Sequence, residues 1–145
     1  FRVLFRPYTH PVVADDPTIK LPLTKPILIG AGYQPGHSTD MDSVILAKTY
    51  GANRVMNLTN IDYVYSADPR SDKTATPFHD LSWSNYKKIL GVKKHKAAAH
   101  VPFDPVATDF AERHRLTVTI VNGQKLSNIR KALHGESFVG TTLHP

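Results

Sequence analysis

Two stretches of this chain gather residues whose types and spacing could hold an anion and a flat ring. The first is Gly30-Ala31-Gly32-Tyr33-Gln34-Pro35-Gly36-His37, followed at once by Ser38-Thr39-Asp40. Glycines let backbone N–H groups approach phosphate oxygens closely, and the Ser38 and Thr39 hydroxyls add donors. A helix begun here would also turn its N-terminus toward the same anion. Asp40 is out of place beside a phosphate unless a lysine or Mg²⁺ stands between them. The plainer alternative is that Ser38-Thr39-Asp40 only caps a helix. Neither G-x-x-x-x-G-K-[ST] nor G-x-G-x-x-G occurs, so the two common phosphate-binding fingerprints do not apply.

The second stretch runs from Asn57 through Thr59, Asn60, Asp62, Tyr63, Tyr65, Asp68 and Pro69 to Arg70. Tyr63 and Tyr65 offer flat surfaces for a nucleobase, and Asp62 and Asp68 offer acceptors for ribose hydroxyls or an amine. It directly follows a buried-strand pattern, which puts it at the carboxyl edge of a sheet, where open α/β sheets bind ligands. The alternative is a turn-rich connector whose tyrosines pack on the core. A third cluster, Lys87, Lys88, Lys93, Lys94 and Lys96, reads as a solvated helix end and loop, or as a segment facing an anion, either a nucleotide phosphate or nucleic acid. Only Tyr86 interleaves with it, so a nucleic-acid reader is not expected. The eight histidines repeat no metal-binding spacing, so surface or satisfied structural roles are expected of them.

The elements that must position these residues follow from the punctuation. Pro7, Pro11, Pro17 and Pro22 make residues 1–25 an extended lead-in. Pro26-Ile27-Leu28-Ile29-Gly30 is continuously apolar, the pattern of a strand buried on both faces. A helix is predicted from about Met41 to Tyr50, capped by Ser38, Thr39 or Asp40 and ended by Gly51. A strand follows at Arg54–Thr59, then loops to Pro77 and a helix at Trp83–Leu90. Asp104-Pro105 opens another helix that runs to about His114. Leu116–Val121 reads as a strand, Leu126–Leu133 as a helix closed by Gly135, and Gly140–His144 as a last strand. Strands alternating with helices predict an α/β fold around a mostly parallel sheet flanked by helices.

Composition bounds the answer. The 145 residues are 41% hydrophobic and 21% charged, as in a single globular domain. The formal charge is +6, and setting aside the five clustered lysines leaves 13 basic against 12 acidic residues, so the charge belongs to one segment. No run reaches the ~20 apolar residues of a membrane span, and the first residues lack a signal-peptide pattern. Zero cysteines exclude disulfides and thiolate chemistry and fit a reducing compartment, so a cytoplasmic protein is expected.

Thr59–Pro69 resembles the T-x-V-D-G-V-Y-x-x-D-P motif of the amino acid kinase family, and residues 26–145 are similar to the C-terminal part of its uridylate (UMP) kinases. Gly30–Asp40 resembles the family's Gly-rich loop ending in Thr-Thr-Asp. Phe103–Ala107 resembles its Asp-x-x-Ala helix start, and Val121–Gly123 through Gly140-Thr141 its closing strand, helix and strand. The resemblance implies that Gly30, Ala31, Gly32, Gly36, Ser38 and Thr39 border UMP. It further implies that Thr59, Asn60, Asp62, Tyr65, Asp68 and Pro69 border ATP with its Mg²⁺, and that Asp40 positions catalytic lysines. Tyr63 stands where the family has Gly, and Asn60 where Lys is frequent, which bears on purine preference. The family's N-terminal half carries the first lysine-bearing strand and a Gly-Gly phosphate loop, and this chain starts beyond them.

The expectation is therefore an ATP:UMP phosphotransferase of pyrimidine biosynthesis, completed by a missing N-terminal half or a companion chain, inactive alone, and homo- or hetero-oligomeric. The other readings are a kinase for another small acid, a non-catalytic nucleotide-binding or storage relative, and, least supported, a basic nucleic-acid module.

Overall fold

The computed structural model describes residues 1–94 and 101–145, and the side chains of all of these except 92–94. Ser38 caps the first helix, α1 (Thr39–Tyr50), by accepting the Met41 N–H, and Gly51 closes it at φ 74°. Strand β1 (Arg54–Thr59) follows, then a small antiparallel pair, β2 (Val64–Tyr65) with β3 (Pro77–Phe78). Strand β4 (Asp80–Ser82) leads directly into helix α2 (Trp83–Lys94). Asp104 accepts the Ala107 N–H at the start of α3 (Pro105–Arg113), with Pro105 at the first position, where its missing N–H costs nothing. Strand β5 (Thr117–Asn122), helix α4 (Leu126–His134) and strand β6 (Thr141–His144) complete the order.

The main sheet runs β1-β5-β6-β4. β1 and β5 are parallel, from Arg54↔Thr117 to Thr59↔Asn122. β4 is parallel to β6, and β5 is antiparallel to β6. The sheet is thus mostly parallel, as the alternation of strands and helices predicted. The core sits between this sheet and the helices. Val44, Trp83, Tyr86, Phe103, Ala107, Val118, Ile120 and Leu143 are buried together. Buried donors there are satisfied: the Trp83 indole N–H donates to the Leu116 carbonyl at 3.0 Å, and the Tyr86 hydroxyl donates to the Phe103 carbonyl. Thr141 stitches the small pair to the main sheet by accepting the Val64 N–H at 2.9 Å. Such matching of buried donors and acceptors is what keeps a polar contact from costing stability in the interior.

One expectation is corrected here. Residues 26–30 do not form a strand buried on both faces. The segment makes only two isolated bridges, Thr9↔Ile27 and Ala14↔Gly30, and Ile27 is 37% exposed. The pairing segment is the lead-in itself, through Ile27 N–H to the Tyr8 carbonyl, His10 N–H to the Ile27 carbonyl and Ala31 N–H to the Ala14 carbonyl. Pro11 has no N–H to give, and five residues of the lead-in span what three cover on the other side, so no continuous ladder forms.

The lysine cluster begins as the helix end that its composition suggested, and the helix runs four residues further than expected. Helix α2 extends to Lys94, and Lys87 pairs with Asp109 (3.2 Å) and Glu112 of α3. Lys88 donates to the Asn85 side chain. The side chains of Lys93, Lys94 and Lys96 lie outside the described residues. Among the described residues, no helix is long and apolar enough to cross a membrane.

Candidate functional site

The glycine loop is built as a tight turn feeding a helix N-terminus. His37 N–H donates to the Gln34 carbonyl at 3.1 Å, and Gly36 sits at φ +88°, a conformation that a side chain would strain. Extended Ser38 then starts α1. The loop borders a cleft of about 230 Å³ lined by Gly30, Ala31, Gly32, Thr39, Asp42 and Ser43 among others. A neighbouring hollow is lined by Gly32, Tyr33, Gln34, His37, Thr39 and Asp42. Five of the expected acceptor-side residues therefore border or shape one cleft: Gly30, Ala31, Gly32 and Thr39 line it, and Gly36 turns the chain around it. Ser38 does so indirectly, as the cap whose oxygen holds the Met41 N–H at 3.1 Å.

Asp40, next to Thr39 on the first turn, faces another way. Its Oδ2 accepts the Asp104 N–H at 2.9 Å, which ties the start of α1 to the start of α3. Partial burial pushes its pKa upward, the Asp104 N–H opposes that, and the nearby Asp104 charge adds to the rise. Among the described residues no lysine or arginine pairs with it. A half-buried carboxylate with one backbone donor and no cation is a group ready to be paired.

The second block lies where the sequence pattern put it, at the carboxyl end of β1 beside that of β5. Thr59 ends β1 opposite Asn122, and its hydroxyl meets the Asn60 side chain at 3.4 Å. Asp62 bridges two loops: its Oδ1 accepts the Asn122 Nδ2 at 2.9 Å and its Oδ2 the Lys125 Nζ at 2.7 Å. Those two hydrogen bonds hold the Asp62 pKa below the usual carboxylate range, the lysine contributing most. Tyr65 stands half-buried on β2, edge-on to Tyr63 at 6.1 Å, and Tyr63 in turn meets the His79 ring at 4.8 Å. Asp68 folds its own turn, accepting the Arg70 N–H with Oδ1 and the Ser71 and Asp72 N–H groups with its carbonyl. Pro69 is exposed in that turn.

Three residues of this geometry were not among the expected site residues. Lys125 and Asn122 reach Asp62 only because β1 and β5 run side by side in parallel, a pairing no local pattern reveals. Asp42 is the third. It lies on the cleft side of α1, accepts the Tyr33 N–H at 3.1 Å and pairs with His37 Nδ1 at 3.2 Å. Its spacing from His37 spans a loop-to-helix boundary, so neither helical nor strand periodicity marks it.

Residues 15–122 match the model of the Amino acid kinase family. Over 117 residues the chain is 36% identical to a uridylate kinase of Archaeoglobus fulgidus, covering 81% of this chain and 52% of that protein. A uridylate kinase of Methanobrevibacter smithii is 35% identical over 118 residues, again with 81% and 52% coverage. The chain thus spans about half the length of the curated relatives it matches. The crystal structure of uridylate kinase from Archaeoglobus fulgidus superposes with a TM-score of 0.80 at 31% identity, covering 98% of this chain and 65% of the other. A UMP kinase structure from Bacillus anthracis shares the fold, with a TM-score of 0.65 at 22% identity over 77% of this chain and 42% of that one.

Proposed function

Since the chain belongs to the amino acid kinase family, we propose that it is the nucleotide-binding part of a uridylate kinase-type phosphotransferase, which moves the γ-phosphoryl group of ATP to UMP. What carries this reading is the placement of two blocks on consecutive elements. A glycine loop opens a cleft at the N-terminus of α1, and the Thr59–Pro69 block opens at the carboxyl end of β1. Gly30, Ala31, Gly32 and Thr39 form the acceptor side, with Ser38 and Gly36 setting the loop's shape. Tyr65 and Asp68, with Thr59, Asn60 and Pro69, form the ATP side. Asp62 holds that side together by tying its loop to the start of α4. Mg²⁺ enters as part of MgATP. Among the described residues no three metal-ligating side chains converge.

Phosphoryl transfer asks the protein chiefly to position its reactants and to neutralise charge spreading over the transferred group. In this reading Asp40 orients lysines toward that group. Those lysines come from the part of the family fold that this chain does not span, either contiguous with it or on a companion chain in a homo- or hetero-oligomer. Residues 26–145 are then the nucleotide-binding part, and residues 1–25 lead into it from the remainder. A reducing, cytoplasmic setting suits the substrates.

A second reading, a nucleotide-binding relative without catalysis, draws on one observation: Asp40 is engaged by the Asp104 N–H with no paired cation among the described residues. Calorimetry separates the ligand question from the chemical one. The protein should bind both MgATP and UMP, and Tyr65→Ala should weaken MgATP by about 1–2 kcal/mol, as for loss of a base-stacking ring. MgATP affinity unchanged by that substitution would remove Tyr65 from the site, and a protein that binds neither nucleotide would overturn both readings.

A further inference from the structure

Asp42 poses a problem for any phosphate in the cleft. Its carboxylate lines both the cleft and the neighbouring hollow, on the first turn of α1, one turn from Thr39. A bare carboxylate there would repel the dianion that the cleft is proposed to take. Its two oxygens are, however, both engaged. Oδ2 accepts the Tyr33 N–H at 3.1 Å, and Oδ1 pairs with His37 Nδ1 at 3.2 Å. The Asp42 and His37 side chains are only 13% and 25% exposed.

The partners of His37 fix its form. A carboxylate can only accept, so Nδ1 carries the proton that faces Asp42. The other ring nitrogen, Nε2, lies 3.1 Å from the Gln34 side-chain amide, within hydrogen-bond distance. One carboxylate therefore clamps the glycine loop at both ends, at Tyr33 before the turn and at His37 after it. The Tyr33 ring packs edge-on to the His37 ring at 5.6 Å, which leaves little room for the imidazole to swing away.

Building on the reading of this cleft as the acceptor phosphate site, we infer that His37 is a positioning residue that saturates the Asp42 carboxylate with a hydrogen bond. It engages the Asp42 carboxylate, anchors the loop 33–37 beside the cleft, and so makes an acid-lined cleft acceptable to a phosphate. The inference separates two roles that a merely structural histidine would not separate. Without the imidazole, Asp42 keeps its charge but loses one of its two donors, and that charge then acts on the ligand. Neutralising Asp42 should consequently repair damage done at His37. Asn at position 42 keeps an oxygen for the Tyr33 N–H and carries no charge.

The test is UMP binding by calorimetry on the protein with whatever chain completes it, with uridine as the phosphate-free control and MgATP as the distant-site control. His37→Ala should weaken UMP about tenfold, in the range of a lost charge-assisted partner, while leaving uridine and MgATP within about twofold. Adding Asp42→Asn to His37→Ala should recover most of the loss, and His37→Asn, whose amide N–H can replace Nδ1, should lose less than His37→Ala. A double variant weaker than His37→Ala alone, or UMP affinity retained in His37→Ala, would overturn the inference and leave the reading of the cleft standing. Wild-type protein that binds UMP no better than uridine would overturn both. The ¹⁵N shifts of the His37 ring give a check free of nucleotide: the ligand-free protein should show the Nδ1–H tautomer, and a neutral Nε2–H ring would overturn the inference.

Discussion

Two apolar runs in this chain look alike on paper and behave differently in space. Thr117–Val121 and Pro26–Gly30 are both short, β-prone and without charge. In the first, Val118, Ile120 and Val121 are fully buried. In the second, Ile27 is exposed and Leu28 and Ile29 are half-buried. The difference lies in the neighbours. β5 has β1 on one side and β6 on the other, so it is hydrogen-bonded along both edges. Residues 27–30 have one neighbour, the lead-in, and Pro11 interrupts even that. Nine of the large apolar side chains left exposed, from Phe1 and Val3 to Leu23 and Ile27, fall in the first 27 residues. Burial is a property of what a strand pairs with, and an apolar run states only a demand for it.

That contrast can be broken most directly by truncation. Ile120→Ala should destabilise the protein by about 2–5 kcal/mol, because a fully enclosed side chain leaves a cavity that its surroundings fill only in part. Ile27→Ala should cost less than about 1 kcal/mol when measured on this chain by urea unfolding. Equal losses at the two positions would mean that residues 27–30 are enclosed in solution by something that restores the missing neighbour.

A smaller effect separates two glycines. A Cβ on Gly140 would lie 2.6 Å from the Ile120 carbonyl oxygen and from the Phe138 ring, so Gly140→Ala should cost roughly 1–3 kcal/mol through forced displacement of backbone. Gly32 has nothing within 4 Å of such a Cβ. Gly32→Ala should leave the thermal midpoint nearly unchanged and act, if the cleft holds a ligand, on affinity alone. A drop in midpoint at Gly32 comparable to that at Gly140 would contradict this division between packing and binding.

How much of this was legible follows the same line. Helix caps are local, so Asp104-Pro105, Gly51 and Gly135 marked the start of α3 and the ends of α1 and α4, while Ser38, Thr39 and Asp40 located the start of α1 to within two residues. The order of strands and helices predicted a mostly parallel sheet, and the motif blocks pointed to the family. What stayed hidden depends on contacts distant in sequence. The hold of Lys125 on Asp62 spans 63 positions, the Asp40 contact with Asp104 spans 64, and the failure of residues 26–30 to pair depends on a proline in another segment. Charge patterning marked the lysine cluster as a solvated helix end, but it could not show that Lys87 finds its partners on α3.

The smallest effects concern two carboxylates of opposite tendency. Asp62 is held below its ordinary pKa by Lys125 and Asn122, so its contribution to stability is present above the unfolded value and is lost as pH falls through the lowered folded value. Asp62→Asn should therefore flatten the acid limb of the stability profile by less than about 1 kcal/mol, as for an exposed pair. Asp40 is shifted upward by burial, so its ionisation opposes folding as pH rises between the unfolded and the raised folded value. Asp40→Asn should remove that opposing slope. Thermal melts of both variants across the acid range check the signs, and slopes of the same sign would refute the assigned environments.

The central claim is that this chain carries the nucleotides while the charge that drives transfer comes from elsewhere in the family fold. It is tested most directly by following UDP formation from MgATP and UMP. Homogeneous 145-residue chain should form none above background. Adding the complementary N-terminal half of a uridylate kinase, fused or as a second chain, should bring activity, and Asp40→Asn should then lower kcat far more than it raises KM for ATP. Ordinary kinase turnover by the 145-residue chain alone, or full activity of the completed protein with Asp40→Asn, would contradict the account.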